Sequence, residues 1–168
     1  MRRFFDTNIL VYAHGRDDPR KRDLARACVE DATAEDEFVV SAQVLAEFYW
    51  TAVRLKVTGP SQAHALVRFW SEHDVVAQTP DLVVRAISLH QEHSLAFWDA
   101  LIVQAALEAR CEVLLSEDFQ HGRRFGELEI RNPFIAAGAH EPGAAAYGGV
   151  AKVSRKKARR ARRTSATA

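Results

Sequence analysis

No apolar run in this chain approaches the ~18 residues that a membrane-spanning helix needs, so no membrane insertion is expected. Cysteine is scarce. The only two, Cys28 and Cys111, have no metal-ligand spacing and sit in apolar helix-like or strand-edge surroundings, so buried free thiols are expected. The pattern GxxxxGK[ST] is missing, which argues against a P-loop nucleotide hydrolase. No nucleophile elbow is visible, so the seven histidines have no serine partner of that kind. No secretory signal is expected either. The start, MRR, is basic, but Asp6 and Asn8 interrupt the short apolar run that follows, and no small-residue cleavage site comes after it. A cytoplasmic protein is therefore expected. There is no internal repeat.

What is present is a chain of 168 residues, 48% hydrophobic and 27% charged, long enough for one domain with a substantial core. Its net charge of +1 conceals an asymmetry. Eight of the 23 basic residues fall between Lys152 and Arg163, leaving 15 against 22 acids elsewhere. The body is thus about −7 and the end +8, two objects that need separate explanations.

Along the body, short apolar runs alternate with amphipathic stretches. RRFF (2–5), FVVS (38–41), VVAQ (75–78), VLLS (113–116) and LEIR (128–131) read as strands. Helical spacing runs through 20–32, with Leu24, Ala27, Cys28 and Ala32 on one face, and through 42–56. Pro60 and Pro80 occupy favoured first-turn positions of two more helices, to about His73 and His93, and Phe97 to Arg110 forms another. Strands alternating with helices predict a three-layer α/β/α sandwich around a central, mainly parallel sheet of about five strands, with ligands at the carboxyl ends of the strands. The folded domain is expected over 1–135. The remainder, 136–168, is Ala/Gly-rich and then basic, and is expected to be a disordered tail. That tail reads equally as a solubilising extension or as an electrostatic tether for RNA.

Four acids fall where chemistry is expected. Asp6 interrupts an apolar run, FFDTNIL, at the end of the first strand. Asp118 follows the fourth, in VLLSEDF. Glu47 lies in the early turns of the helix after the second strand, and Asp99 in the first turn of the last helix, FWDAL. Each has an ordinary alternative: a turn or capping residue for Asp6 and Asp118, a solvated helix acid for Glu47, a dipole-favouring one for Asp99. Glu117, next to Asp118, reads as a surface acid. Four carboxylates gathered at one sheet edge would repel and take up protons unless a hard cation kept them ionised. Oxygen donors without Cys or His suit Mg²⁺, or Mn²⁺, rather than Zn²⁺.

FFDTNILVYA, SAQVLAEFY, FWDALIVQAAL and LLSEDFQHGRRFGELEIRNPF, spanning 2–134, resemble the PIN-domain nucleases, and in particular the VapC-type toxins of bacterial toxin–antitoxin pairs. The resemblance implies a PIN-like sandwich whose metal-site acids are Asp6, Glu47, Asp99 and Asp118, supported by Asn8, Ser116 and Thr7. It implies a Mg²⁺-dependent endoribonuclease that hydrolyses a phosphodiester of tRNA or rRNA by in-line attack of an activated water, leaving a 5′-phosphate and inhibiting translation. An antitoxin that blocks the site and a homodimer are the implied partners. Where such sequences often carry a hydroxyl before the aromatic pair, this chain has Ala96.

Other readings fit less well. A phosphatase with an aspartate nucleophile after the first strand needs a second Asp two residues on, and that position is Asn8. A phospho-accepting receiver domain needs a late Lys, but no Lys lies between Lys56 and Lys152. A PIN-fold RNA-processing nuclease that is not a toxin, or a catalytically decayed RNA-binding protein, would share the acids or most of them.

Overall fold

Phe4 and Phe5 are neighbours in a strand, yet both are wholly buried. Successive strand side chains point to opposite faces, so the sheet they belong to is covered on both sides. The computed structural model describes residues 1–135, in which strands β1 (Arg3–Phe5), β2 (Phe38–Ser41), β3 (Asp74–Val76), β4 (Val113–Leu115), β5 (Arg124–Phe125) and β6 (Leu128–Arg131) form one sheet. The helices are α1 (Thr7–His14), α2 (Pro19–Ala34), α3 (Ala42–Arg54), α4 (Pro60–Trp70), α5 (Pro80–His93) and α6 (Phe97–Glu108). None is long and apolar enough to cross a membrane. The stretch expected as a tail, 136–168, lies outside the described residues.

The sheet order is β3-β2-β1-β4-β6-β5, parallel throughout except for β5. The chain leaves β1 toward β2 and β3, then returns to place β4 on the other flank of β1. That reversal opens a crevice at the carboxyl ends of β1 and β4, where ligands bind in sheets of this kind. Phe5 pairs with Leu115, so the next residues, Asp6 and Ser116, emerge side by side.

The mainly parallel, two-sided sheet follows the sequence expectation, with three local differences. The sheet has six strands rather than five. The sixth, β5, is a two-residue strand that turns back onto β6 through Gly126, whose φ of +59° is a conformation glycine adopts freely. Two residues carry no periodicity. The second difference is α1, which starts directly after Asp6: its eight residues, TNILVYAH, are too few to show a helical stripe beside the strand they adjoin. The third is the buried face of α2, which is Ala25, Val29 and Ala32, with Leu24 outside. Small side chains on that face let α2 lie close against α1.

The helix starts follow local chemistry. Asp18 and Thr79 cap α2 and α5 ahead of Pro19 and Pro80, and Ser41 caps α3 by accepting from the Val44 amide at 3.3 Å. Phe38 stacks on Phe5 at 4.8 Å between ring centroids, and Trp70 meets Phe48 edge-on at 4.7 Å, which fixes α3 and α4 to the sheet. Cys111 is buried and Cys28 half-buried, both as free thiols.

Candidate active site

Asp6 ends β1 and caps α1 at once. Its backbone amide donates to the Leu115 carbonyl at 3.0 Å, continuing the sheet, while its Oδ1 accepts from the Thr7 amide at 2.6 Å, starting the helix. Strand-to-helix conversion at one residue places a carboxylate at the mouth of the crevice. Only 7% of Asp6 is exposed.

Around it is a connected set of polar groups. Ser116, wholly buried, donates its hydroxyl to Asp6 Oδ2 at 2.6 Å and accepts from the Asp118 amide at 3.1 Å. Asn8 Nδ2 lies 2.9 Å from Asp6 Oδ2, 3.0 Å from Asp118 Oδ2 and 3.1 Å from Ser116 Oγ, so two amide hydrogens are shared among three oxygens. Thr7 donates its hydroxyl to Glu47 Oε2 at 2.9 Å, and Gln43, one helical turn before Glu47, donates to Oε1 at 2.9 Å. Asp99 stands in the first turn of α6, a helix whose cap position, Ala96, supplies no side-chain hydrogen bond. Six of the seven residues singled out from the sequence are thus joined by hydrogen bonds, while Asp99 feels the charges of Asp118 and Glu47 without bonding to any of the six.

The electrostatics identify a crowded anionic site. Burial, above all, pushes the Asp6 carboxyl up to about 7, with Asp118 and Glu47 adding to the rise and the Ser116 and Thr7 hydrogen bonds opposing it. Asp99 is pushed up to about 6 by burial, Asp118 and Glu47, with no hydrogen bond among the described residues to offset them. The supporting donors hold the acids in place without neutralising them. A cation placed among them would remove both the repulsion and the tendency to protonate.

The donor set fits a hard, oxygen-seeking ion. Among the described residues no three His, Cys, Asp or Glu side chains gather closely enough to enclose one. Carboxylates with no Cys or His among them suit Mg²⁺, which keeps several of its waters and takes one or two carboxylates directly.

Two contributors escaped the sequence reading. Gln43 is buried and bridges Glu47 to the Trp98 carbonyl, 3.5 Å away, tying α3 to the start of α6. The i, i+4 spacing of Gln43 and Glu47 was the available signal. Glu117, expected on the surface, is half-buried and ion-paired with Lys21, a contact across 96 residues that no local pattern announces. His121 accepts from the Asn132 amide at 3.1 Å, an internal structural contact.

The sequence profile of the PIN domain family matches residues 3–125. No curated protein matches the chain significantly. Among solved structures, a toxin–antitoxin complex from Klebsiella pneumoniae superposes with a TM-score of 0.60 at 21% identity, covering 78% of this chain and 97% of that one. VapBC2 from Rickettsia felis, bound to a DNA fragment from its promoter, gives 0.57 at 20% identity over 79% and 98%. VapC20 of Mycobacterium tuberculosis, described as a toxin that cleaves the sarcin–ricin loop, gives 0.52 at 21% identity over 67% and 86%. At these identities the likeness is one of fold.

Proposed function

This chain belongs to the PIN domain family, and from that premise and the chemistry of its crevice we propose that it is a Mg²⁺-dependent endoribonuclease acting as the toxin of a toxin–antitoxin pair. The observation that carries the reading is the hydrogen-bonded set of Asp6, Asn8, Ser116, Asp118, Thr7 and Glu47, which gathers three carboxylates where β1 and β4 end at the sheet's switch point. A site so assembled has a use for a divalent cation and, through it, for a phosphodiester.

In this reading Asp6, Asp99, Glu47 and Asp118 would line a Mg²⁺ site, one or two of them binding the ion directly and the others through its waters, with Mn²⁺ able to replace it. The bound ion supplies charge stabilisation at the phosphoryl oxygens and lowers the pKa of a nearby water. Ser116 and Asn8 fix the Asp6 and Asp118 carboxylates, and Thr7 and Gln43 fix Glu47. Asp118, the exposed member of the set, stands nearest the solvent from which substrate and water arrive. The substrate class is structured RNA, tRNA or rRNA, whose cutting would stop translation in the cytoplasm. The neighbour that cleaves the sarcin–ricin loop supports that class, and the neighbours solved as toxin–antitoxin complexes support an antitoxin as partner. A homodimer completes the proposal.

The test is RNA cleavage by the pure protein in Mg²⁺ or Mn²⁺ and in EDTA, together with mapping of 5′ ends in cells after induction. Metal-dependent cuts at a few sites, growth arrest, and relief by a co-expressed antitoxin are expected. Robust cleavage in EDTA would sink the metal mechanism. Normal growth at high soluble expression, with tRNA and rRNA intact, would sink the toxin role.

A further inference from the structure

Lys21, near the start of α2, has an unusual set of neighbours. Its ammonium donates to the Glu117 carboxylate and lies 3.4 Å from the Tyr12 hydroxyl. It also sits over two aromatic rings, 4.7 Å from the centre of Tyr12 and 5.1 Å from that of Phe134. The two rings meet edge to face at 5.1 Å. Phe134 is held there because Asn132 Oδ1 accepts from its backbone amide at 2.9 Å, which gives the NPF segment after the last strand a purpose. A Lys–Glu pair at this partial exposure adds little to stability. The two rings do, however, restrict where the ammonium can sit, and through it where Glu117 can sit.

What Glu117 controls is the site. Its backbone amide donates to Asn8 Oδ1 at 3.3 Å. That bond decides which way the Asn8 amide faces and turns Nδ2 toward Asp6 and Asp118. Asn8 and Tyr12 are four residues apart in α1, hence on one face of it. The loop 116–118 is therefore tied at three points: to Asp6 through the Ser116 hydroxyl, to Asn8 through the Glu117 amide, and to Lys21 through the Glu117 side chain. Asp118 is the exposed acid of the four and has the least packing to hold it.

We infer that Lys21 is a positioning residue: held over the rings of Tyr12 and Phe134, its ammonium clamps Glu117 and so fixes the 116–118 loop and the alignment of Asn8 and Asp118 for a divalent cation. The inference rests on the metal-site reading above. Replacing Lys21 alone would leave the Glu117 carboxylate uncompensated beside the site, where its charge would attract cations and mask a loss of alignment. The double variant Lys21→Met/Glu117→Gln removes both charges, so simple electrostatics predicts no change and only positioning predicts a loss.

The measurement is Mn²⁺ titration calorimetry on the full chain, with thermal melts in EDTA alongside. Residues that directly orient metal ligands are worth 10–100-fold in affinity, and this pair acts one contact further out, so the double variant should bind Mn²⁺ about fivefold more weakly. Its melting midpoint should stay at the wild-type value, and Lys21→Arg, which keeps the cation, should bind as the wild type does. A double variant with wild-type affinity overturns the clamp alone. Weakened binding matched by a lowered midpoint, and not rescued by Lys21→Arg, makes the pair a structural prop and overturns it as well. A wild-type protein that binds no Mn²⁺, or an Asp99→Asn variant that binds it undiminished, overturns the metal reading itself and the clamp with it.

Discussion

Replacing Asp99 with Asn should make the metal-free protein more stable while removing its activity. The carboxyl is raised from an ordinary 3.8 to about 6 by burial and by Asp118 and Glu47. Two units correspond to about 3 kcal/mol for a sealed group, and discounting for the solvent that reaches this half-buried one leaves about 1–2 kcal/mol. The sign follows from the direction of the shift. A carboxyl whose folded pKa lies above its unfolded one favours the fold most below about pH 4, where both states are protonated, and loses that contribution as pH rises through about 6. Wild type should therefore lose stability between about pH 4 and pH 7 in EDTA from this residue, and Asp99→Asn should escape the loss. The amide is isosteric, and no hydrogen bond among the described residues offsets the carboxyl's rise, so few contacts are sacrificed. For a domain of this size the gain at about pH 8 should appear as a midpoint higher by about 3–7 °C. It should shrink toward zero near pH 4. Added Mg²⁺ should raise the wild-type midpoint by mass action and leave the variant's where it was. An Asp99→Asn protein that melts at or below the wild-type midpoint at about pH 8 in EDTA would refute the repulsion argument. One that cuts RNA normally would remove Asp99 from the site.

Ser116→Ala should have the opposite effect on stability, lowering it by about 1–3 kcal/mol in a denaturant melt, because a buried hydroxyl serving Asp6 and the Asp118 amide is lost. Restoration of wild-type stability in that variant would mean the hydroxyl is dispensable. Thr7→Val keeps the shape but frees Glu47 Oε2, so cleavage should fall about tenfold, as for other groups that orient metal ligands, with the melting midpoint little changed. Unaltered turnover would show that Glu47 needs no such support. Truncation after Ile135 removes the eight basic residues between Lys152 and Arg163. If they engage three to five phosphates, the log–log salt slope of single-strand binding should flatten by roughly two to three and a half units with cleavage sites unchanged. Equal slopes would leave that segment without a tethering role.

The sequence by itself determined the class of fold and named four candidate acids for the site. Alternating apolar and amphipathic runs imply a parallel sheet covered on both faces, because parallel strands need long crossover connections, usually helical. Burial of an aspartate within FFDTNIL is costly enough that its presence signals a task, the places of Glu47, Asp99 and Asp118 near strand ends and helix starts made them candidates too, and the resemblance supplied the polar neighbours. Helix starts at Pro60 and Pro80 were legible too, since proline tolerates the first turn and little else in a helix.

What only the tertiary structure decided is how these parts meet. Strand order is not written in any local pattern, so the adjacency of β1 and β4, and with it the pairing of Asp6 with Ser116, appears only once the sheet is assembled. The same holds for β5, too short to be periodic, and for the buried face of α2, chosen by close packing on α1. It holds most of all for Lys21 and Glu117. A lone Lys and a lone Glu 96 residues apart read as surface charges, because propensity and periodicity report only on neighbours along the chain. Their partnership depends on the distance between α2 and the loop after β4, and packing alone sets that distance.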